Sequence, residues 1–357
     1  MATVHIEQRV KNLLRLVAQQ GASDLHLVVG RYPTLRIDGK LFPLTEDSIL
    51  TPTETQEMAD VIMGEEHKNK FLEDKQVDLS YNFENKARFR VNVFFQQSYV
   101  SVAMRLISSE IRRLEDLHMP EMLYDLTKFT QGLILVVGPV GHGKSTTLAA
   151  LINEINQTQE KHIVTIEDPI EYVYQQDKSI VNQREVHQDS KSFESALKSV
   201  LREDANVVLV GELRDLESIS IAMTAAETGH LIFATLHTND SAQTVDRIID
   251  VFPSHQQNQV RSQLANTLLG VISQRLVPKI EGGRIPAVEI MIKNHAIENL
   301  IREDKSYQID NVIETSSDQG MVTLDRSLAD LVSKGIISMD TALSYAKEPA
   351  TFQTLFR

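Results

Sequence analysis

The chain has 357 residues, of which 42% are hydrophobic and 24% are charged, and this composition predicts a soluble globular protein of about two domains. A formal net charge of -13 argues against a protein that coats nucleic acid, because phosphate contacts need clustered Lys and Arg. The lack of cysteine excludes disulfides, thiolate zinc sites and cysteine nucleophiles. We find no signal peptide and no run of about 18 apolar residues, so we expect a cytoplasmic protein without a transmembrane segment.

The first part of the chain mixes helical and strand patterns. Apolar residues at helical spacing from Ile6 to Val17 predict a first helix. Asp38-Gly39 between two alternating runs predicts a tight hairpin, and Thr51 with Glu54 forms the capping box of a second helix. Alternating runs then predict an antiparallel sheet whose strands cover residues 77–83, 87–95 and 100–107. We therefore predict an α+β domain that ends near Ile107.

The second part alternates apolar strands with amphipathic helices. The strands are short and apolar on both faces, which is typical of a buried parallel sheet. They cover residues 133–137, 162–166, 206–210 and 231–235. After Pro253 the pattern is interpreted as helical over 254–276, with further helices over 296–305 and 323–335. This part is predicted to be an α/β domain with C-terminal helices.

A glycine loop follows the first of these strands and precedes a helix. The segment "GPVGHGKST" fits the phosphate-binding pattern G-x-x-x-x-G-K-[ST], in which backbone N–H groups and the helix N-terminus face phosphate. Lys144 is predicted to reach the β- and γ-phosphates and Ser145 to hold Mg²⁺. His142 occupies a variable position and is interpreted as a solvent-facing side chain. The candidate nucleotide-binding residues are Gly138, Pro139, Val140, Gly141, His142, Gly143, Lys144, Ser145 and Thr146.

Two further strands end in carboxylates. In "NVVLVGELRD" Gly211 stands where phosphate-loop enzymes usually carry a metal-binding Asp, so Glu212 is the candidate base that activates water and a candidate Mg²⁺ partner through water. The alternative is a solvated carboxylate at a strand end. "VTIEDPIEY" places Glu167 and Asp168 at a second strand end, where Glu167 is a candidate second acid near the metal or the water.

Histidines and arginines supply weaker candidates. His230 and His237 flank one strand, and a structural role is favoured for each, although His237 follows the carboxyl end, where α/β sheets bind ligands. Strand alternation places Arg88 and Arg90 on one face, and Arg105 lies near the end of another strand. A polar strand face is favoured over an aromatic and basic surface for nucleic acid.

Taken together, these segments resemble the secretion ATPase superfamily of type II secretion and type IV pili. The similar segments are "ASDLHLVVG", "GPVGHGKSTT", "TIEDPIEY", "VVLVGELRDLESI" and "TGHLIFATLHTNDSAQTVDRIIDVFP". The lack of a four-cysteine zinc insertion and the segment "AIENLIRE" are similar to the pilus-retraction branch. Glu298 in that segment replaces the Arg that this branch usually carries.

The resemblance implies a PAS-like domain over residues 1–107 and a RecA-like ATPase domain with a C-terminal helical region over residues 108–357. It implies a homohexamer that hydrolyses ATP with Mg²⁺, in which Glu212 acts as base and Glu167 assists. Arg90 and Arg105 would offset charge on the transferred phosphate, and His230 and His237 would report nucleotide state.

The implied location is the inner face of the cytoplasmic membrane. The implied partners are a PilC-like platform protein of the inner membrane and other pilus ATPases, without nucleic acid. An accessory retraction ATPase and an extension or type II secretion ATPase remain as alternatives. Outside these classes, the sequence leaves open a nucleic-acid motor and a regulatory subunit that binds nucleotide without hydrolysing it.

Overall fold

The computed structural model describes residues 2–37, 39–83, 87–107, 110–352 and 354. The chain forms two compact units, of which the first is Met1–Glu110 with Glu171–Val173 and the second is Ile111–Ile170 with Tyr174–Arg357. Each unit contains one sheet and its own helices, so the fold is mixed α/β. Asp38 of the predicted hairpin, and Ser108 at the predicted domain boundary, lie outside the described residues.

The first unit is built on a six-stranded sheet in the order β3-β2-β1-β6-β5-β4, with antiparallel pairing throughout. Its strands are β1 (Asp24–Leu27), β2 (Thr34–Ile37), β3 (Lys40–Pro43), β4 (Gln76–Phe83), β5 (Ala87–Gln96) and β6 (Tyr99–Ile107). Its helices are α1 (Ala2–Gln19) and α2 (Pro52–Asp74). Apolar side chains of both helices and of the sheet form one buried cluster.

Local sequence explains how these helices begin and end. The side chain of Thr51 accepts the backbone N–H of Glu54, and the Glu54 carboxylate accepts the backbone N–H of Thr51, so the predicted capping box is confirmed. Lys75 ends α2 in a left-handed conformation. Gly64, with φ of 64°, interrupts α2 internally, because only glycine adopts that conformation at low cost.

The second unit contains a seven-stranded sheet in the order β13-β12-β7-β11-β10-β8-β9. All neighbouring strands are parallel except β12 and β13, which are antiparallel. The strands are β7 (Gly132–Val137), β8 (His162–Glu167), β9 (Ile180–Glu185), β10 (Val207–Val210), β11 (Leu231–Leu236), β12 (Leu268–Pro278) and β13 (Arg284–Ile292). Every residue of β7, β10 and β11 is buried, as expected for central strands covered on both faces.

Helices cover this sheet and complete the C-terminal part of the chain. Those before β12 are α3 (Leu123–Leu126), α4 (Lys144–Thr158), α5 (Phe193–Val200), α6 (Leu216–Glu227), α7 (Ser241–Asp250) and α8 (Ser254–Thr267). Those after β13 are α9 (His295–Arg302), α10 (Ile309–Thr315), α11 (Leu324–Ser333), α12 (Met339–Tyr345) and α13 (Pro349–Phe352). Two short 3-10 helices cover Ser306–Gln308 and Ser317–Gln319. Among the described residues, no helix combines the length and the apolar character needed to cross a bilayer.

Sequence patterning located the central strands correctly but was wrong about residues 268–276. The predicted helix over 254–276 ends at Thr267, and the chain continues as β12, whose residues Leu268–Gln274 are buried. A buried strand next to β7 has apolar side chains on both faces, so its residues show no period-2 alternation that would separate it from a helix. Strands β9 and β13 were not predicted.

Candidate functional site

The glycine loop connects the carboxyl end of β7 to the N-terminus of α4, in the context that the sequence predicted. Lys144 is the first residue of α4, and its ammonium group donates hydrogen bonds to the carbonyl oxygens of Gly138 (2.8 Å) and Pro139 (3.1 Å). Lys144 is only 8% exposed, whereas the side chain of Val140 at the tip of the loop is 81% exposed. The backbone of the glycine loop therefore surrounds the ammonium group of Lys144.

Lys144 begins a row of polar contacts that crosses the edge of the sheet. Its Nζ lies 3.2 Å from Nδ1 of His237, and Nε2 of His237 lies 3.3 Å from Oε1 of Glu212. Since an ammonium group can only donate, Nδ1 of His237 accepts from Lys144, and the other ring nitrogen, Nε2, lies beside the Glu212 carboxylate. On the far side, Arg214 Nε donates to Oε2 of Glu212 at 2.7 Å. Glu212 thus lies between an imidazole and a guanidinium group.

Strand order explains why these side chains meet. Lys144, His237 and Glu212 follow the carboxyl ends of β7, β11 and β10, which are consecutive neighbours in the parallel sheet. Neighbouring strands lie about 4.8 Å apart, so β11 places His237 midway between the other two groups. The structure therefore brings together three of the residues that the sequence singled out.

The backbone of β8 passes close to Gly211, the residue that precedes Glu212. A Cβ atom at Gly211 would lie 3.3 Å from the carbonyl oxygen of Ile166 and 3.4 Å from Cα of Glu167. Its N–H donates to the same carbonyl oxygen of Ile166 at 2.8 Å, and its own carbonyl accepts the hydroxyl of Thr235 at 2.5 Å. A side chain in this position would therefore require the backbone of β8 to shift by a few tenths of an ångström, and the carboxylate at this strand end belongs to the next residue, Glu212.

Glu167 lies farther from the glycine loop than Glu212. It ends β8, which is three strands from β7, a separation of about 14 Å at the usual strand spacing. Its carboxylate accepts the hydroxyl of Thr165 at 2.6 Å and the amide of Gln183 at 3.4 Å. Asp168, the next residue, is exposed. The structure thus places Glu167 at the same edge of the sheet but not in the row that Lys144 begins.

His230 is at the opposite edge of the sheet from the glycine loop. It precedes β11, and six residues of strand, about 20 Å, separate it from His237. Its Nδ1 is 3.1 Å from the carbonyl oxygen of Ala225, to which it donates, and its own carbonyl accepts the N–H of Gly132. These contacts fit the structural role that the sequence favoured for His230.

Arg90 and Arg105 belong to the first unit, where they are directly opposite each other on β5 and β6. The predicted alternation is confirmed, since Phe89 and Val91 are buried while Arg90 is exposed. Arg105 Nε donates to Oδ1 of Asp24 at 2.8 Å, and its side chain is 68% exposed. Burial opposes ionisation of Asp24, but hydrogen bonds from Ser23 and Arg105 hold its pKa below the ordinary value.

The oxygen groups near the loop are suited to Mg²⁺ bound with a nucleotide. Ser145 is the second residue of α4, and its hydroxyl, together with the Glu212 carboxylate, provides the oxygen ligands that Mg²⁺ prefers. Mg²⁺ in such sites is held by one or two protein groups together with phosphates and water. Among the described residues, no group of three His, Cys, Asp or Glu side chains is arranged to hold a metal ion.

A cavity of about 340 Å³ adjoins the first turn of α4. Gly143 and Thr146 form one side of it and Leu276 and Pro286 another, while Arg112, Lys279 and Arg284 add positive charge and Asp116 adds a carboxylate. The cavity residues outside the glycine loop and α4 were not predicted, because they come from β12, β13, the turn between them and the segment before β7. Arg214 was also not predicted, although its position two residues after Glu212 was a usable signal.

His142 is not the solvent-facing side chain that the sequence favoured. It is partly buried, and its Nδ1 accepts the backbone N–H of Leu276 at 3.0 Å. The interpretation was wrong because the residues opposite the loop had been assigned to a helix instead of to β12.

A glycine-rich loop between a central parallel strand and a helix, with a lysine at the helix start, defines the class of phosphate-binding-loop α/β proteins. The sequence profile of the family described as "Type II/IV secretion system protein" matches residues 2–343. The chain belongs to this family, and this membership implies nucleotide binding and ATPase activity.

Comparisons with individual proteins agree with that assignment. The chain is 47% identical over 346 residues to the type IV pilus retraction ATPase PilT of Pseudomonas aeruginosa, an alignment covering 96% of this chain and 99% of the relative. It is 38% identical over 337 residues to the type IV pilus ATPase PilU of the same species, covering 94% and 88%. Among solved structures, the pilus retraction motor PilT with bound ADP aligns with a TM-score of 0.90 and 46% identity, covering 96% of this chain and 98% of that one.

The close approach of β8 to Gly211 generates a prediction about stability. We expect Gly211→Ala to lower the free energy of unfolding of the second unit by about 1–2 kcal/mol, since the added Cβ overpacks the contact with β8. Gly211→Asp should cost more, because it also adds a carboxylate next to the backbone of Glu167. Urea unfolding followed by circular dichroism measures both variants. An Asp variant as stable as the wild type would show that β8 moves freely away from this position.

Proposed function

We propose that the protein is a motor ATPase that hydrolyses ATP to ADP and phosphate to drive retraction of type IV pili. The observation that carries the hydrolytic part is the row of contacts Lys144–His237–Glu212, which joins a phosphate-binding lysine to a carboxylate through one imidazole. Such a row provides a cation for the γ-phosphate and, within the same edge of the sheet, a base for water.

In this proposal each side chain has a defined task. Lys144 exchanges its two carbonyl partners for the β- and γ-phosphate oxygens. A water molecule attacks the γ-phosphorus and its proton passes to the Glu212 carboxylate, while the bond to the ADP oxygen breaks. Arg214 donates to Glu212 and orients its carboxylate, which in turn raises the pKa of Arg214. His237 lies 3.3 Å from the Glu212 carboxylate on its other side and limits the positions that the carboxylate can take.

The metal ion has a supporting task in the same proposal. Ser145 would hold Mg²⁺ together with phosphate oxygens, with Glu212 reaching it through water and Glu167 as a second acid at that edge of the sheet. Bound there, Mg²⁺ would neutralise charge on the phosphates. The nucleoside would occupy the cavity beside Thr146, where Leu276 and Pro286 provide apolar walls.

Replacing the proposed base tests the hydrolytic role. Glu212→Gln should lower the turnover of ATP by about 10²–10⁴-fold while leaving ADP affinity within about twofold, because the amide cannot accept the proton. Glu217→Gln is the matched control, since Glu217 is an exposed glutamate in the first turn of α6. Turnover is measured as phosphate release, with and without added DNA or RNA. Undiminished turnover in Glu212→Gln would remove Glu212 from the mechanism, and stimulation by nucleic acid would favour the nucleic-acid motor.

Arg90 and Arg105 are proposed to bind the anion that builds up on the transferred phosphate. Like charges directly opposite each other on neighbouring strands destabilise a sheet, and Asp24 partly offsets this cost through its contact with Arg105. A pair of arginines kept at such positions is well suited to an anionic ligand, whether it comes from the same chain or from a neighbouring subunit.

Charge removal in the first unit tests that role. Arg90→Ala and Arg105→Ala should each lower ATP turnover, toward the order of 10³-fold that such arginines contribute in other phosphate-loop enzymes. Arg36→Ala removes the same charge from β2 of the same sheet and should leave turnover within about twofold, so it serves as control. If both test variants turn over ATP like the control, the arginines do not take part.

The mechanical part of the proposal is supported by the family and by the identity to PilT. We propose a PAS-like first domain (1–107), a RecA-like second domain (108–357) and a homohexamer. The ring would act at the inner face of the cytoplasmic membrane on an inner-membrane platform protein, together with other pilus ATPases. Hydrolysis would move the two domains relative to each other and so withdraw pilin subunits.

Piliation of cells that lack the gene tests the direction of movement. We expect many surface pili and lost twitching motility, because filaments that cannot be withdrawn accumulate. Reintroducing the wild-type gene should restore motility, and reintroducing the Glu212→Gln gene should not. Cells without pili would instead indicate an extension motor, and motile cells with normal pili would indicate an accessory ATPase.

A further inference from the structure

His142 lies between two glycines of the loop, Gly141 and Gly143. Gly141 and Gly143 have φ values of 77° and 83°, a region that glycine adopts at low energetic cost. The same freedom makes glycine expensive to order, since it loses more conformational entropy on folding than any other residue. A loop with glycines on both sides of one residue is therefore held in a single shape only if that residue is anchored.

The structure anchors His142 twice, and both anchors come from β12. The backbone N–H of Leu276 donates to Nδ1 of the imidazole at 3.0 Å, and the Nε2 amide of Gln274 donates to the carbonyl oxygen of His142 at 2.8 Å. Gln274 is 2% exposed, and its own Oε1 accepts the hydroxyl of Thr147 at 2.7 Å. Since a backbone N–H can only donate, the ring is in the neutral form with its hydrogen on Nε2.

The end of the pairing between β7 and β12 explains why the backbone N–H of Leu276 is available to His142. The ladder between β7 and β12 ends at the pair Val137 and Ser273, where the glycine loop begins, but β12 runs on to Pro278. Among the described residues no strand pairs with the β7 side of β12 past that point, and a partly buried N–H left without an acceptor there would be costly. The imidazole of His142 accepts the N–H of Leu276, as a carbonyl group of a neighbouring strand would do.

We propose that His142 is a positioning residue that holds the glycine loop in its phosphate-binding shape by accepting the N–H of Leu276. The inference rests on the proposed function, because it assumes that the loop binds nucleotide phosphate. Order built in before binding lowers the entropy lost on binding, so the contact strengthens nucleotide affinity without touching the nucleotide.

The surroundings of His142 keep the ring in the accepting form. Burial lowers the pKa of His142, and three cations lower it further: Arg275 of β12, Arg284 of β13 and Lys144 of α4. Because the folded-state pKa lies below the ordinary value, the contact is fully present above a pH of about 6.5 and is lost as the pH falls through the folded-state pKa. A protonated ring would carry a hydrogen on Nδ1 and could no longer accept from Leu276.

Two variants separate the hydrogen bond from the bulk of the ring. His142→Ala removes the acceptor, whereas Oδ1 of His142→Asn accepts from the same N–H and does not titrate. We expect His142→Ala to weaken the affinity for a fluorescent ADP analogue by about three- to tenfold at neutral pH, the usual range for one hydrogen bond. His142→Asn should bind within about twofold of the wild type.

Acidification supplies a second readout. From about pH 7.5 to pH 5, the affinity of the wild type should fall more steeply than that of His142→Asn, because only the wild type loses the contact on protonation. All other histidines, including His237 and His118, are present in both proteins, so the difference between the two profiles isolates His142. Equal profiles, or Asn and Ala variants that bind equally weakly, would overturn the proposal.

Hydrogen exchange at the Leu276 amide tests the contact without relying on nucleotide. The amide should exchange faster in His142→Ala than in the wild type, and His142→Asn should restore protection. Equal exchange rates in all three proteins would overturn the proposal even if affinities differ. A wild type that binds no ADP analogue would instead overturn the proposed function and the positioning role with it, and the exchange data would keep that failure distinct from a missing hydrogen bond.

Discussion

The candidate site depends on the parallel register of three neighbouring strands, β7, β11 and β10. Parallel pairing brings their carboxyl ends to one edge of the sheet, and each strand is followed there by a different chemical group. An ammonium group, an imidazole and a carboxylate consequently form a continuous row of contacts without any of them being adjacent in sequence. A shift of β11 by one residue would turn His237 to the other face of the sheet and separate Lys144 from Glu212.

Groups outside this row hold Glu212 at one end and Lys144 at the other. Glu212 has Arg214 on the side away from His237, so its carboxylate keeps a cationic partner when Lys144 turns to phosphate. Lys144 has the carbonyl oxygens of Gly138 and Pro139, which hold a cation without neutralising it. Neutral acceptors therefore hold Lys144 at the glycine loop, and Glu212 is held between Arg214 and His237.

The sequence alone was sufficient to predict the site residues that follow central strands. It was insufficient to predict the partners that contact those residues from other strands. Glu212 and His237 each follow a short apolar run, and Lys144 belongs to the glycine loop that follows another, so strand prediction and the loop motif together locate them. The partners of His142 could not be found in this way, because residues 268–276 mix apolar and polar side chains without strand alternation and were assigned to a helix. Distant pairing also left Asp24 opposite Arg105 unpredicted, since 81 residues separate the two in sequence.

Strand β12, which sequence patterning mistook for a helix, touches both loops that carry the site. On one side Gln274 and Leu276 hold the glycine loop through His142. On the other side Ser273 and Arg275 donate to the carbonyl oxygen of Asn239, two residues after His237, at 2.7 and 2.9 Å. The phosphate-binding loop and the segment that carries the imidazole are thus braced by consecutive residues of one strand. A displacement of β12 along its axis would move both loops together, so the distance between Lys144 and His237 is set by this strand as well as by the two loops themselves.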